Sequence, residues 1–510
     1  MLGGCSAMNA QIYQRCAPGD YDDWAANGAP GWAWRDLKPF FDKAEGFVPN
    51  PEYKIDEAGP YVTGYPSATS VVSKAFVETG PAVGLPKNPD LNVETDAAGI
   101  TRFQTSATSS GVRSSTSAAY LPPSVFQSRP NLKILTGTLC TRVLFADGNA
   151  KDGKGDVKAV GVEVALTNPP NETDKAKRWV ARLHPSRGGE VVVSLGAFGS
   201  PQLLLCSGIG RPATLAKGGV DKVVVEREGV GEGLKDHVLV SVAFEVRRGE
   251  SFEWMKSPAK SLPSLLRWLA LGTGPLCSNI AEAAGFFWVE DVQQDGSVKI
   301  LSGPTKEGKR SGPDGEVICA PVYYVHHARA IPPTDTSTQD FWTMCAVVLK
   351  PHSTGSVTIR SPDAREKAVI DPAYFEDKRD EEVILKTLHL IRLLSQSAPL
   401  KDHLLSVASP RRSFDDWATM SDEELRAHAR EVAETIYHPF STCKMGRRDD
   451  PSAVTDPATL KVYGCANVRV CDASVFPIPV GGHPCAPVVA VAEKFADMLK
   501  RERDEAKGGA

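Results

Sequence analysis

Two histidines stand where a proton could be moved. His438 lies in Tyr437-His438-Pro439-Phe440-Ser441-Thr442-Cys443-Lys444-Met445-Gly446, and His483 in Gly481-Gly482-His483-Pro484-Cys485-Ala486-Pro487. Imidazole titrates near pH 6.5 and so exchanges protons at neutral pH. Both stretches are rich in Gly and Pro and lie on no periodic apolar face, and loops held by a rigid scaffold are where chemistry concentrates. Spacing alone leaves a second reading open, because a loop histidine also serves as an ordinary hydrogen-bonded surface group.

Other candidate motifs carry less. Gly148-Asn149-Ala150-Lys151-Asp152-Gly153-Lys154 has the spacing of a phosphate loop, yet Gly155 stands where Ser or Thr must hold magnesium. A charged turn after a strand accounts for it. No G-x-S-x-G elbow marks a serine hydrolase. His326-His327 lack a carboxylate or cysteine at ligand spacing, and neighbours on a strand point to opposite faces, which favours a structural role over metal binding.

The elements that must position the loops read as follows. Leu37 to Phe41 opens a short helix, Leu132–Leu135 and Leu139–Phe145 are strand candidates, and Val157–Leu166 alternates. Glu190–Leu195 is a buried strand run followed by Gly196-Ala197-Phe198-Gly199. Ser200-Pro201 then opens a helix that Ser207-Gly208-Ile209-Gly210 stops. Strand, glycine turn and helix together have the local shape of a dinucleotide-binding fold. Runs at 239–246, 284–289, 317–325, 341–349 and 356–359 predict an antiparallel sheet, with helices over about 380–396 and 487–503.

Composition sets the frame. The 510 residues carry a formal charge of −4, 42% hydrophobic and 24% charged residues, which is ordinary globular composition. This length predicts about two to four domains. The near-neutral balance gives no overall electrostatic footprint for nucleic acid or an anionic membrane. The longest apolar run, around Val317–Ala328, is broken by Pro321 and is too short to span a bilayer. Eleven scattered cysteines without a C-x-x-C pair argue against a disulfide scaffold and lean towards an intracellular, reducing compartment.

Taken together, the motifs resemble those of the glucose–methanol–choline (GMC) oxidoreductases. Leu2-Gly3-Gly4-Cys5-Ser6-Ala7-Met8-Asn9 with Asp20-Tyr21-Asp22-Asp23-Trp24 resembles their first signature. Gly196 to Gly210 resembles the second at every position, and Gly229-Val230-Gly231-Glu232-Gly233-Leu234-Lys235-Asp236-His237 is similar to the segment after it. The His438 loop, Arg469-Val470-Cys471-Asp472-Ala473-Ser474 and the His483 loop follow in family order. Thr442-Cys443-Lys444-Met445-Gly446 resembles the choline- and alcohol-dehydrogenase-like branch.

The resemblance implies FAD, and oxidation of a small-molecule alcohol to aldehyde or ketone by hydride transfer to the flavin, with O2, a quinone or another acceptor regenerating it. It implies His438 as the base that takes the hydroxyl proton and His483 as the partner that orients the alkoxide. Implied flavin contacts are Leu2, Ser6, Asn9, Ala10, Gln11, Ile12, Cys140, Asp472, Ala473 and His483, with the last helix aiming its N-terminus at the pyrimidine end. The implied fold is an α/β, Rossmann-like, discontinuous FAD-binding domain (1–45, 130–238 and 432–505) beside an α+β substrate domain with an antiparallel sheet (46–129 and 239–431).

One family feature has no counterpart: no G-x-G-x-x-G occurs in the chain. The expectation is therefore an FAD-binding domain incomplete at its N-terminal βαβ segment, in which a targeting peptide would also have stood. Alternatives are a non-catalytic remnant unable to hold FAD, a hydroxynitrile lyase, or a fatty-acid photodecarboxylase; against the last, Ala281 and Ala320 occupy the positions of its Cys and Arg. Glu282 and the aromatics Tyr323, Tyr324, Phe341 and Trp342 are open to two readings, a quaternary-ammonium pocket or sheet packing. The identity of the alcohol and the oligomeric state are not legible.

Overall fold

Apolar residues at helical spacing and in strand runs sort this chain into two large cores. The computed structural model describes residues 1–48, 59–92, 98–108, 110–146, 155–184, 188–299, 311–332 and 339–508. The phosphate-loop spacing at 148–154 lies outside the described residues. Helices Pro18–Ala26 (α1) and Trp34–Ala44 (α2) open the first core. In α2 the residues Trp34, Leu37, Phe41 and Ala44 recur at helical spacing and are buried together. Helix Val71–Thr79 (α3) and strand Gly99–Arg102 (β1) lead to the second core.

Strands Thr138–Phe145 (β2), Ala159–Leu166 (β3) and Trp179–Arg182 (β4) form an antiparallel sheet. The run Leu132–Leu135 forms no strand; β2 begins at Thr138. Strand Val191–Val193 (β5) runs into helix Gly196–Cys206 (α4), the strand–turn–helix unit read from the sequence.

That helix starts four residues before the predicted Ser200-Pro201 opening. Gly196 turns the chain at φ 78°, and Pro201 falls inside the helix, where it cannot donate to the Ala197 carbonyl. The carbonyl accepts instead from Thr442 Oγ1 at 2.6 Å, and Ser200 Oγ donates to Asp472 Oδ2 at 2.5 Å. Tertiary partners thus replace the missing helix bond, which the sequence pattern alone could not show.

Strands Val238–Arg247 (β6), Ala283–Phe287 (β7), Gly315–Ala320 (β8), Gln339–Val348 (β9) and Leu404–Ser409 (β10) join β1 in an antiparallel sheet. Its order is β10-β6-β9-β8-β7-β1, with Glu434–Thr435 pairing on the start of β6. Both faces are covered, so β6, β7 and β9 are almost wholly buried and read as continuous rather than alternating apolar runs. Between β6 and β7 comes helix Pro258–Leu271 (α5). Helix Lys378–Gln396 (α6) packs its Val383, Ile384, Leu388 and Ile391 against the sheet.

The predicted strand at 356–359 does not belong to this sheet. Gly355–Thr358 pairs with Glu232–Leu234 and Val369–Asp371 in a separate three-stranded sheet. Proline and glycine between Val348 and Ser356 carry the chain away instead of turning it back. Strand Val468–Val470 (β11) runs parallel to β5, and helix Cys485–Gly508 (α7) packs on α2, where Lys43 Nζ meets Glu493 Oε2 at 2.6 Å. The chain is thus mixed α/β with a large antiparallel sheet. All eleven cysteines are free.

Candidate active site

Three imidazoles and one carboxylate meet between Phe103 and Phe440. His438 leaves a turn at Tyr437, whose φ is 66°, and its backbone N–H donates to Asp236 Oδ1 at 3.0 Å. In space the His438 ring meets His237, at the foot of β6, with the two Nδ1 atoms 3.0 Å apart. One Nδ1 must therefore donate and the other accept. The His237 ring is fully buried and packs against Phe440 at a centroid distance of 5.1 Å. Burial, with His483 nearby, holds His237 far below the usual imidazole range, at about 3. Burial acts in the same direction on His438, reinforced by His483 and His237, so both rings are neutral at pH 7.

His483 stands edge-on to His438, with ring centroids 4.8 Å apart and planes at 89°. Its backbone N–H donates to Gln14 Oε1 at 3.1 Å, and its ring meets Phe103 edge to face. Its Nε2 lies 3.0 Å from Oε1 of Glu316, a fully buried carboxylate on β8. Beneath the loop, buried Asp20 accepts from Gly481 N at 3.0 Å and pairs with Lys350 Nζ at 2.7 Å. Asp236 is held likewise: its other oxygen accepts from Tyr374 Oη, and burial raises its pKa.

The structure gathers some of the other residues named from the sequence and not all. Arg113 Nη1 donates to Asn9 O at 2.8 Å and to Asn9 Oδ1 at 2.9 Å, Asn279 Nδ2 to Ala10 O at 2.8 Å, and Ser106 N to Gln11 O at 2.7 Å. Ile12 is buried beside Phe103, which also packs on His483. Ala473 O accepts from Ser441 N in the His438 loop at 3.3 Å. The Asp472 carboxylate takes Gly196 N at 3.0 Å, Ser200 Oγ at 2.5 Å and Ser474 N at 2.8 Å, tying β11 to α4. Leu2 is exposed, Ser6 bonds to Gly3 and Thr116, and Cys140 lies on β2; none of the three touches the imidazoles.

Sequence pattern does not single out His237, Glu316 or Gln14. His237 closes a motif legible in the chain, but Glu316 and Gln14 carry no local signal. Glu282 resolves to structure: it accepts from Ser70 N, Ser70 Oγ and Ser278 Oγ at the start of α3. Tyr323, Phe341 and Trp342 are core residues of the sheet. His326 and His327 lie in a turn with left-handed backbone, φ 50° and 57°, rather than on a strand, and His327 Nδ1 meets Tyr437 Oη at 2.6 Å.

The residues present fit a flavin. Gln14 Nε2, Asn279 Oδ1 and Ser441 Oγ are buried without a hydrogen-bond partner among the described residues; Gln14 holds His483, Ser441 lies in the His438 loop, and Asn279 sits against Ala10. Leaving such atoms unpaired costs about 1–3 kcal/mol each, and a ring edged with carbonyl and N–H groups can satisfy them. The positive N-terminus of α7 begins at Cys485, directly after the His483 loop. No helix among the described residues is long and apolar enough to cross a membrane.

Comparison with known proteins agrees with this geometry. Two family models, both described as GMC oxidoreductase, match residues 1–239 and 351–492. Alcohol dehydrogenase [acceptor] of Pseudomonas putida is 30% identical over 99% of this chain and 82% of its own length. Mitochondrial choline dehydrogenase of Mus musculus is 32% identical over 98% of this chain and 74% of its own. A formate oxidase of Aspergillus oryzae RIB40, solved in a study of its FAD modification, superposes with a TM-score of 0.81 at 23% identity, covering 99% of this chain and 84% of that one, a likeness of fold. The cofactor to which this family and fold point is FAD. By its family models and by relatives that align along nearly all of it, the chain belongs to the GMC oxidoreductases.

Proposed function

We propose that this enzyme oxidises an alcohol to an aldehyde or ketone, with His438 as the base and His483 as the group that orients the oxygen. FAD, when bound, supplies the acceptor for the hydride from the carbinol carbon. Residues at 1–45, 130–238 and 432–505 would hold it, including Leu2, Ser6, Asn9, Ala10, Gln11, Ile12, Cys140, Asp472 and Ala473. Residues 46–129 and 239–431 would enclose the alcohol. The electron acceptor is O2, a quinone or a similar small molecule.

The observation that carries this reading is the 3.0 Å contact between the Nδ1 atoms of His237 and His438. We assign the ring proton of neutral His237 to Nε2, which has no hydrogen-bond partner among the described residues, so that Nδ1 is left to face His438. With that proton on Nε2, His237 Nδ1 is a bare acceptor, and His438 must donate Nδ1–H to it. The proton of neutral His438 is then committed, and its Nε2 keeps a lone pair for the hydroxyl proton. As His438 becomes cationic, the same contact becomes a charge-assisted hydrogen bond.

His483 and Glu316 complete the arrangement. A buried pair is least costly at zero net charge. In that state one proton lies between Nε2 and Oε1, and His483 Nδ1 carries another wherever the shared one sits. His483 thereby offers an N–H to a developing alkoxide, the kind of preorganised donor that stabilises charge in a transition state.

A positioned base contributes about 10²–10⁴ in rate. His438→Ala in the flavin-loaded enzyme should therefore lower alcohol oxidation at least about a hundredfold while flavin absorbance per protein stays unchanged. Turnover near that of the wild type would sink the assignment.

A further inference from the structure

We infer that helix α5 docks the protein on a lipid surface bearing anionic headgroups. The helix is turned inside out. Its half-buried residues are Ser261, Ser264 and Trp268, with Trp268 Nε1 donating to Ser110 O at 2.8 Å. Leu262, Leu265, Leu266 and Leu269 recur at i, i+3, i+4 and i+7 and form a stripe that is 39–65% exposed. No residue of this 14-residue helix is buried. An ordinary surface helix packs its apolar stripe inward and leaves serines to water.

The patch continues beyond the helix. Leu271, Ile280 and Val112 are 69%, 42% and 50% exposed. Their loops abut: a Cβ added at Gly272 would stand 2.9 Å from Ser110 Cβ, and one at Gly111 would stand 2.8 Å from Cys277 Cα. Exposed apolar side chains on the helix and on loops that adjoin one another mark an interaction site.

Charge identifies the occupant. From Met255 to Ala281 there is no carboxylate, while Lys256, Lys260 and Arg267 stand in or beside the helix. Lys256 pairs with Glu253; Lys260 and Arg267 pair with no carboxylate among the described residues. The whole-chain balance of −4, which by itself gives no membrane footprint, thus conceals a locally cationic segment. A leucine stripe beside basic residues on a helix too short to span a bilayer is the composition of an interfacial helix, whose binding combines apolar burial with attraction to anionic lipid. A protein groove would match the leucines but gives no reason for the absence of every acidic residue.

The test is co-sedimentation of the full chain with vesicles of phosphatidylcholine alone and of phosphatidylcholine mixed with phosphatidylglycerol. Partitioning should be at least about tenfold stronger on the mixed vesicles and should weaken with added salt. The double variant Leu266→Glu/Leu269→Glu should lose it with an unchanged melting temperature, because both side chains are more than half exposed. Lys260→Glu/Arg267→Glu should remove the preference for the anionic vesicles. Equal partitioning on both vesicle types, or none on either, overturns the proposal. So does a concentration-dependent dimer that the leucine variant abolishes without vesicle binding, which would assign the stripe to a second copy.

Discussion

Replacing His237 by phenylalanine keeps a flat ring beside Phe440 but removes the nitrogen that lies 3.0 Å from His438 Nδ1. In the resting enzyme this is a bond between neutral rings, worth about 0.5–1.5 kcal/mol; once His438 holds the substrate proton, its donor is charged and the bond is worth about 1.5–3 kcal/mol. Only the difference, about 1–2 kcal/mol, acts on the barrier, and at about 1.36 kcal/mol per tenfold it lowers kcat by roughly 5- to 30-fold. The assay is the anaerobic rate of flavin bleaching with a turned-over alcohol, measured at saturating substrate so that binding does not enter. His237→Asn is the control, since its amide oxygen can take the place of the lost acceptor and should recover most of the rate. A phenylalanine variant within twofold of wild type, or an asparagine variant no better than phenylalanine, would refute the argument that His237 fixes the tautomer of His438.

Acidification gives an independent reading of the same ring. His237 titrates near 3 when folded and near 6.5 when unfolded, so between these values the unfolded chain binds a proton that the folded one refuses, and stability falls as pH drops. At pH 5 the loss is about 2 kcal/mol from this residue, read as a lower melting temperature than at pH 7; His237→Phe should flatten the difference. Asp472→Ala strips acceptors from Gly196, Ser200 and Ser474 together and should destabilise by about 3–5 kcal/mol in denaturant unfolding, where an effect below about 1 kcal/mol would contradict the tie described between β11 and α4. Glu316→Leu cannot share a proton with His483 and should lower kcat about tenfold, whereas Glu316→Gln can donate to Nε2 and should retain more activity; equal rates in the two variants would count against the shared proton.

The two histidine loops are legible in the sequence because proline and glycine break every periodic pattern around them, leaving the imidazoles without a packing explanation. The Gly196–Gly210 unit is legible for the opposite reason: a buried strand, a turn and a leucine-rich helix follow in order. The boundary inside that unit is not, because the bond replacing the one Pro201 cannot make comes from Thr442, far along the chain. Glu316 looks like any acidic residue on a strand, and only pairing in the sheet brings it to His483. Helix α5 has a regular apolar period, but period alone does not say which way a stripe faces.

Support for the His483 loop comes from the opposite end of the polypeptide. Gln14 holds His483 across a separation of 469 residues, and Asp20 holds Gly481 across 461. During synthesis at about 5–20 residues per second, Asp20 waits roughly 20 to 90 seconds for its partner to be made. Until then a carboxylate that ends fully buried has no loop to receive, and the first helices lack the C-terminal helix against which α2 packs. Contacts of such long range form late and slowly. Until both partners exist the faces they bury stay open, so slower, cooler expression should raise the yield of active enzyme.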